Sequence, residues 1–191
     1  MDEELRSLTE RLRQESGGAA AFEELAATGD HDALAEVLTA AAQPLWAREL
    51  AAFRLGLAGD RRAFEALVLF LNHRDPPRCA SAAHALARLG DPRTARAAAA
   101  LATNELRVAY ALHPVRLLVE LRAPEAVPAL ITTLRRRLRP HDPYRRVALA
   151  CVDGLGDLGD ARARPVLDDA LAHPRLAEAA VRALARIPRQ R

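Results

Sequence analysis

One dipeptide recurs along this chain at nearly constant spacing. Gly29-Asp30, Gly59-Asp60, Gly90-Asp91 and Gly159-Asp160 mark four positions, and Arg122 and Pro188 continue the series. The six anchors are separated by 30, 31, 32, 37 and 29 residues. Four residues before each anchor, from the second onward, stands a leucine: Leu55, Leu86, Leu118, Leu155 and Leu184. A chain that repeats every thirty or so residues is built from copies of one small motif. No copy buries its apolar face alone, so neighbouring copies must stack.

The internal pattern of each copy identifies the motif. Positions seven before the anchors hold Ala52, Ala83, Val115, Val152 and Val181, and positions one before hold Ala58, Leu89, Leu121, Leu158 and Ile187. Offsets of one, four and seven form one stripe of a helix. Eight and twelve residues after the anchors, Val37, Leu67, Ala98, Leu130 and Leu167, then Ala41, Leu71, Ala102, Leu134 and Leu171, mark a second helix. Each unit therefore reads as helix A, a turn, helix B, then Gly-Asp. Glycine supplies a left-handed cap at the end of B. Aspartate accepts from the free N–H groups of the next A helix, and Pro92 fits a first helical turn. Asp75-Pro76 and Asp142-Pro143 mark A–B turns in the same way. Composition agrees: 43 Ala, 31 Leu and 28 Arg make up about half the chain, and aromatics are 4%. These are helix formers, and a sheet lacks its β-branched and aromatic faces. The expected fold is all-α.

Leu89-Gly90-Asp91-Pro92-Arg93, Ala126-Val127-Pro128-Ala129-Leu130 and Arg145-Arg146-Val147-Ala148-Leu149-Ala150 resemble the short bacterial HEAT repeats named after phycobilisome lyases. The resemblance spans about residues 19–188. It implies an α-solenoid, a right-handed superhelix of about five helix pairs, with B helices lining a concave face where partners bind. Residues 1–18 read as an amphipathic capping helix (Leu5, Leu8, Leu12) and a loop, and residues 19–191 as the solenoid, one domain in all. Departures from the pattern are Arg122-Ala123 in place of Gly-Asp, a longer fourth unit, and Pro114, which should kink its B helix or begin its straight part.

The register also selects a face. Offsets minus six and minus two give Phe53/Leu57, His84/Arg88, Arg116/Glu120, Asp153/Asp157 and Arg182/Arg186. Their alternating charge suits a protein partner better than a polyanion, which needs a continuous basic stripe. In the first B helix, Trp46, Leu50, Phe53 and Leu57 form an apolar stripe. Either the N-terminal helices cover it, or it is a partner or homodimer surface. A second candidate is the long fourth turn. Arg135, Arg136, Arg137, Arg139, Arg145 and Arg146 are a candidate anion site, unless Asp142 pairs with Arg145 or Arg146 and the helix end takes up the rest.

Catalytic and metal chemistry find little support. The six histidines show no His-x-x-x-His spacing and the two cysteines no Cys-x-x-Cys, so no metal site and no cofactor are expected. His84 as a base, and Asp153/Asp157 as acid–base or cation ligands, are weaker readings than a solvated face. Cys79 and Cys151 read as buried thiols of a reduced, cytoplasmic protein. The acidic start lacks a signal peptide's apolar core, and no uncharged run is long enough to span a membrane. Net charge is only +3, and every basic side chain is Arg, a habit that discounts the pI of 9.5 as a nucleic-acid signal. The expected function is a non-catalytic scaffold or accessory subunit that recognises another protein. Two alternatives stand beside it: a nucleic-acid-binding protein similar to the HEAT-like alkylpurine DNA glycosylases, and a lyase- or chaperone-type subunit for a small prosthetic group.

Overall fold

The computed structural model describes residues 3–18 and 20–188, with side chains from Arg6 onward. Leu5 lies outside the described side chains, and Asp2 outside the described residues. Twelve α-helices occur among the described residues: α1 (Glu3–Glu15), α2 (Ala20–Ala27), α3 (His31–Thr39), α4 (Leu45–Leu57), α5 (Phe64–Leu71), α6 (Pro76–Leu89), α7 (Thr94–Ala102), α8 (Leu112–Leu121), α9 (Ala126–Arg137), α10 (Arg145–Leu158), α11 (Arg164–Leu171) and α12 (Ala177–Arg186). No strand occurs among the described residues. From α3 onward the order is five A–B pairs, an all-α solenoid fold of HEAT-like units. The chain divides into two compact units, Met1–Thr94 and Ala95–Arg191.

The anchors perform the capping that their residues require. Gly59, Gly90 and Gly159 have φ of 76°, 65° and 70°, the left-handed region where Cβ is penalised. Arg122 adopts φ 50° as the cap of α8 without that freedom. Gly29 has no positive φ; there the Thr28 hydroxyl accepts from the Asp30 amide and turns the chain. The aspartates accept from amides two residues on: Asp30 from Asp32, Asp60 from Arg62, Asp91 from Arg93 and Asp160 from Arg162.

The leucine register is the core. Leu55, Leu86, Leu118 and Leu155 are buried, as are Leu67, Leu130, Leu134 and Leu167 of the A helices. At the last pair the same positions open: Leu184 is half-buried, Leu171 is 39% exposed and Val181 58%. Ala41, expected on the first A helix, lies beyond its end at Thr39. Pro114 occupies the third residue of α8, after a 3₁₀ stretch broken at Arg107. It thus begins the straight part, because a first-turn N–H needs no partner. Pro76 opens α6 as expected, whereas Pro143 lies outside α10, which starts at Arg145.

Candidate functional site

In the first unit the B helices are α4 and α6, and the chain covers them itself. Leu50 and Phe53 are each 1% exposed, beneath α1 and α2. Leu8 and Leu12 of α1 and Phe22 of α2 are buried, and the Phe22 ring tilts against Trp46 at 5.8 Å. Of the two readings of the apolar stripe, cover by the N-terminal helices holds at Leu50 and Phe53, which are core and not a partner or homodimer surface. Only Trp46 and Leu57 retain partial exposure. The face was polar-poor because it receives the N-terminal helices.

Ionic contacts hold α1 in place. Glu49 of α4, 2% exposed, bridges Arg11 of α1 and Arg78 of α6. Arg78 also reaches Glu15, and Arg11 pairs with Glu15 at 3.0 Å. A buried carboxylate between two guanidiniums is tolerable only with such pairing. His84 of α6 is half-buried and stacks on Phe53 with ring planes 14° apart. Arg88 is exposed.

In the second unit the B helices are α8, α10 and α12. Glycines let them approach closely. A Cβ on Gly154 of α10 would stand 2.3 Å from Cγ2 of Val119, and one on Gly156 would stand 2.7 Å from Cα of Ala183 in α12. Between α8 and α10 runs a groove of about 380 Å³. Leu112, Val119, Leu149 and Ala150 give it apolar surface; Arg116, Arg146, Asp153 and Asp157 give it charge. Asp157 pairs with Arg186 at 2.6 Å, and Arg182 with Glu178 at 2.6 Å. Among the described residues Arg116, Glu120, Arg146 and Asp153 have no ion-pair partner. His113, at the start of α8, is held below its ordinary pKa by burial, then by Arg116 and Arg146.

The register relates the two faces. Glu49 stands ten residues before its anchor and Ser81 nine before its own, and Arg11 of α1 contacts both. Leu112 and Leu149 stand ten before theirs and Ala150 nine before its own, and these line the open groove. In the first unit a helix of the same chain occupies these positions. In the second no described residue does.

The six arginines of the fourth turn converge only in part: Arg137, Arg139 and Arg145 line one cleft, and the other three lie elsewhere. Arg136 is tied to Glu105 at 3.0 Å and to the Thr103 carbonyl. Arg137 pairs with Asp142 at 2.9 Å, so Asp142 serves the end of α9 rather than Arg145 or Arg146. Arg135 is exposed, and Arg146 faces the α8–α10 groove. Arg139 and Arg145 line a separate cleft, joined by His173 and Arg175 from the α11–α12 turn. Sequence reasoning missed those two. The usable signal was stacking, which sets equivalent turns of successive units side by side.

It also missed a ladder. Arg62, Arg93 and Arg162 each fold back onto the aspartate two residues earlier, through side-chain bonds of 2.6 to 3.1 Å. Arg62 reaches on to Asp32, and Arg93 to Glu65. The visible signal was an Asp-x-Arg triplet at the repeat spacing. Cys79 and Cys151 are buried thiols that form no disulfide, and Cys79 donates to the His73 carbonyl. Among the described residues no cluster of three His, Cys, Asp or Glu could hold a metal, and no helix is long and apolar enough to cross a membrane.

Three comparisons bear on this geometry. Residues 147–173 match the PBS lyase HEAT-like repeat. No curated protein matches the chain. The fold is similar to a chain in the structure of the complex of CpcE and CpcF of phycocyanin lyase from Nostoc sp. PCC7120, with a TM-score of 0.59 and 25% identity. That likeness covers 85% of this chain and 66% of the other.

Proposed function

We propose that this HEAT-like repeat protein is a protein-binding subunit of lyase or chaperone type, which recognises its partner through the B helices of its second unit. The single observation that carries the reading is the α8–α10 groove, whose equivalent in the first unit is filled by α1. An amphipathic helix is therefore the shape this face receives. The α1 contact supplies the pattern: leucines against the B helices, and arginine–glutamate pairs around them. In the second unit Arg116, Arg146, Asp153 and Glu120 supply charges of both signs, which set register and reject wrong partners. Likeness to a chain in a complex of two phycocyanin lyase proteins supports a partnered role.

The proposed recognition row is Arg116, Glu120, Asp153 and Asp157, with Arg182 and Arg186 on α12. Helix-in-groove binding spreads apolar anchors at helical spacing within a charged rim. The experiment compares affinity capture by the native chain and by Arg116→Glu/Asp153→Arg. A specific protein retained by the first and lost by the second, with unchanged circular dichroism, is the expected result. Equal capture by both rejects the face.

A further inference from the structure

We infer that a second site, the cleft between the α9–α10 and α11–α12 turns, binds a small organic anion: a phosphate or carboxylate on an apolar body. The cleft measures about 580 Å³, within the range of small-molecule sites. Its charge is lopsided. Arg139, Arg145 and Arg175 line it, and none has a carboxylate partner among the described residues. The one carboxylate on its wall, Asp142, is engaged twice: by Arg137 at 2.9 Å and by the Tyr144 amide at 2.9 Å. It therefore cannot neutralise the other three.

Two helix starts add to the field. α10 has 14 residues and α12 has 10, and neither N-cap, Tyr144 or Leu176, supplies a side-chain acceptor. A helix N-terminus favours negative charge, and both starts border the cleft through Arg145 and Leu176, with the Val147 and Ala177 amides already taken by the Tyr144 and His173 carbonyls. Ala148, Leu176 and three prolines (140, 143 and 174) form the apolar part of the lining. A bare inorganic ion leaves that surface unused; an organic anion covers it. His141 stands on the wall in the left-handed region, at φ 61°, the kind of strained residue found at ligand sites. Nucleic acid fits less well. The nearby ring, Tyr144, carries the Arg137 guanidinium over one face at 5.7 Å, and one part-occupied ring offers little for stacking a run of bases.

The test titrates the full chain with 8-anilinonaphthalene-1-sulfonate, an aromatic body with one anionic group, by fluorescence and calorimetry. One saturable site is expected, weakened at least about tenfold in Arg145→Gln/Arg175→Gln, as for loss of charge-assisted hydrogen bonds. Arg139→Gln alone should weaken it in the same direction, which covers failure of the double variant to fold. Phenyl phosphate and phenylacetate are the competitors, and the stronger displacer identifies the anionic group. The uncharged N-phenyl-1-naphthylamine should not displace the probe. The inference is overturned if no saturable site exists, or if binding is unchanged in the arginine variants. It is also overturned if binding disappears instead with Val181→Ser at the exposed edge of α12.

Discussion

Single residues set what the helices can do, and glycine is the plainest case. Gly156 admits α12 because it has no Cβ, and Gly156→Val puts atoms against the backbone of Ala183. Overpacking of this kind costs about 1–3 kcal/mol, and a β-branched residue offers little helix propensity in return. A lowered melting temperature, with helicity kept, is the expected outcome. Glu49 is the buried counterpart. Glu49→Ala leaves Arg78 buried with its main partner gone, a loss of about 3 kcal/mol, read as a shift in the urea midpoint. The Asp-x-Arg ladder links stability to acid. Asp60, Asp91 and Asp160 sit below their ordinary pKa of 3.8, chiefly through hydrogen bonds from Arg62, Arg93 and Arg162. Their contribution is complete above 3.8 and vanishes as pH falls through the lower folded values. His113 acts in a higher window. Its folded pKa lies below 6.5, so the unfolded chain binds its proton first and stability declines as pH drops beneath 6.5. In His113→Phe the slope of urea midpoint against pH should flatten there and remain unchanged below pH 4. Burial pushes the Cys151 thiol up to about 12, so iodoacetamide should leave it unmodified in the native protein.

The helices themselves were largely legible from the register. Leu55, Leu86, Leu118 and Leu155 face inward because one period of 3.6 fits all four pairs. What escaped was long-range. The stripe Trp46-Leu50-Phe53-Leu57 announces an apolar face, but nothing local says whether α1, a neighbour or a partner covers it. The answer lies in Arg11, 38 residues from Glu49 and 67 from Arg78, a separation that periodicity cannot read. The end positions Leu171 and Val181 carry the internal pattern yet stand exposed, because register encodes a face and not its cover. A test follows for α1. Leu12 is fully buried, so Leu12→Ala should cost about 2–5 kcal/mol and speed amide exchange in α4 and α6. A cost under about 0.5 kcal/mol, typical of surface sites, would show that α1 does not hold this face.

For the molecule as a whole, composition fixed the fold class and left the partner open. Ala and Leu supply close-packed helices, and arginine, as the single basic residue type, serves caps, buried pairs, a groove and a cleft at once. Counting arginines along the sequence could not separate those duties. The six of the fourth turn divide between helix ends, groove and cleft only once α9, α10 and α11 are stacked. The central claim is that α8, α10 and α12 present the recognition surface. Hydrogen exchange of the chain alone and in complex with the captured protein tests it most directly. The account expects slowed exchange in α8 and α10, extending to α12, with α4 and α6 unaltered beneath α1. Protection confined to α1, α4 and α6, with α8 and α10 unaffected, contradicts it.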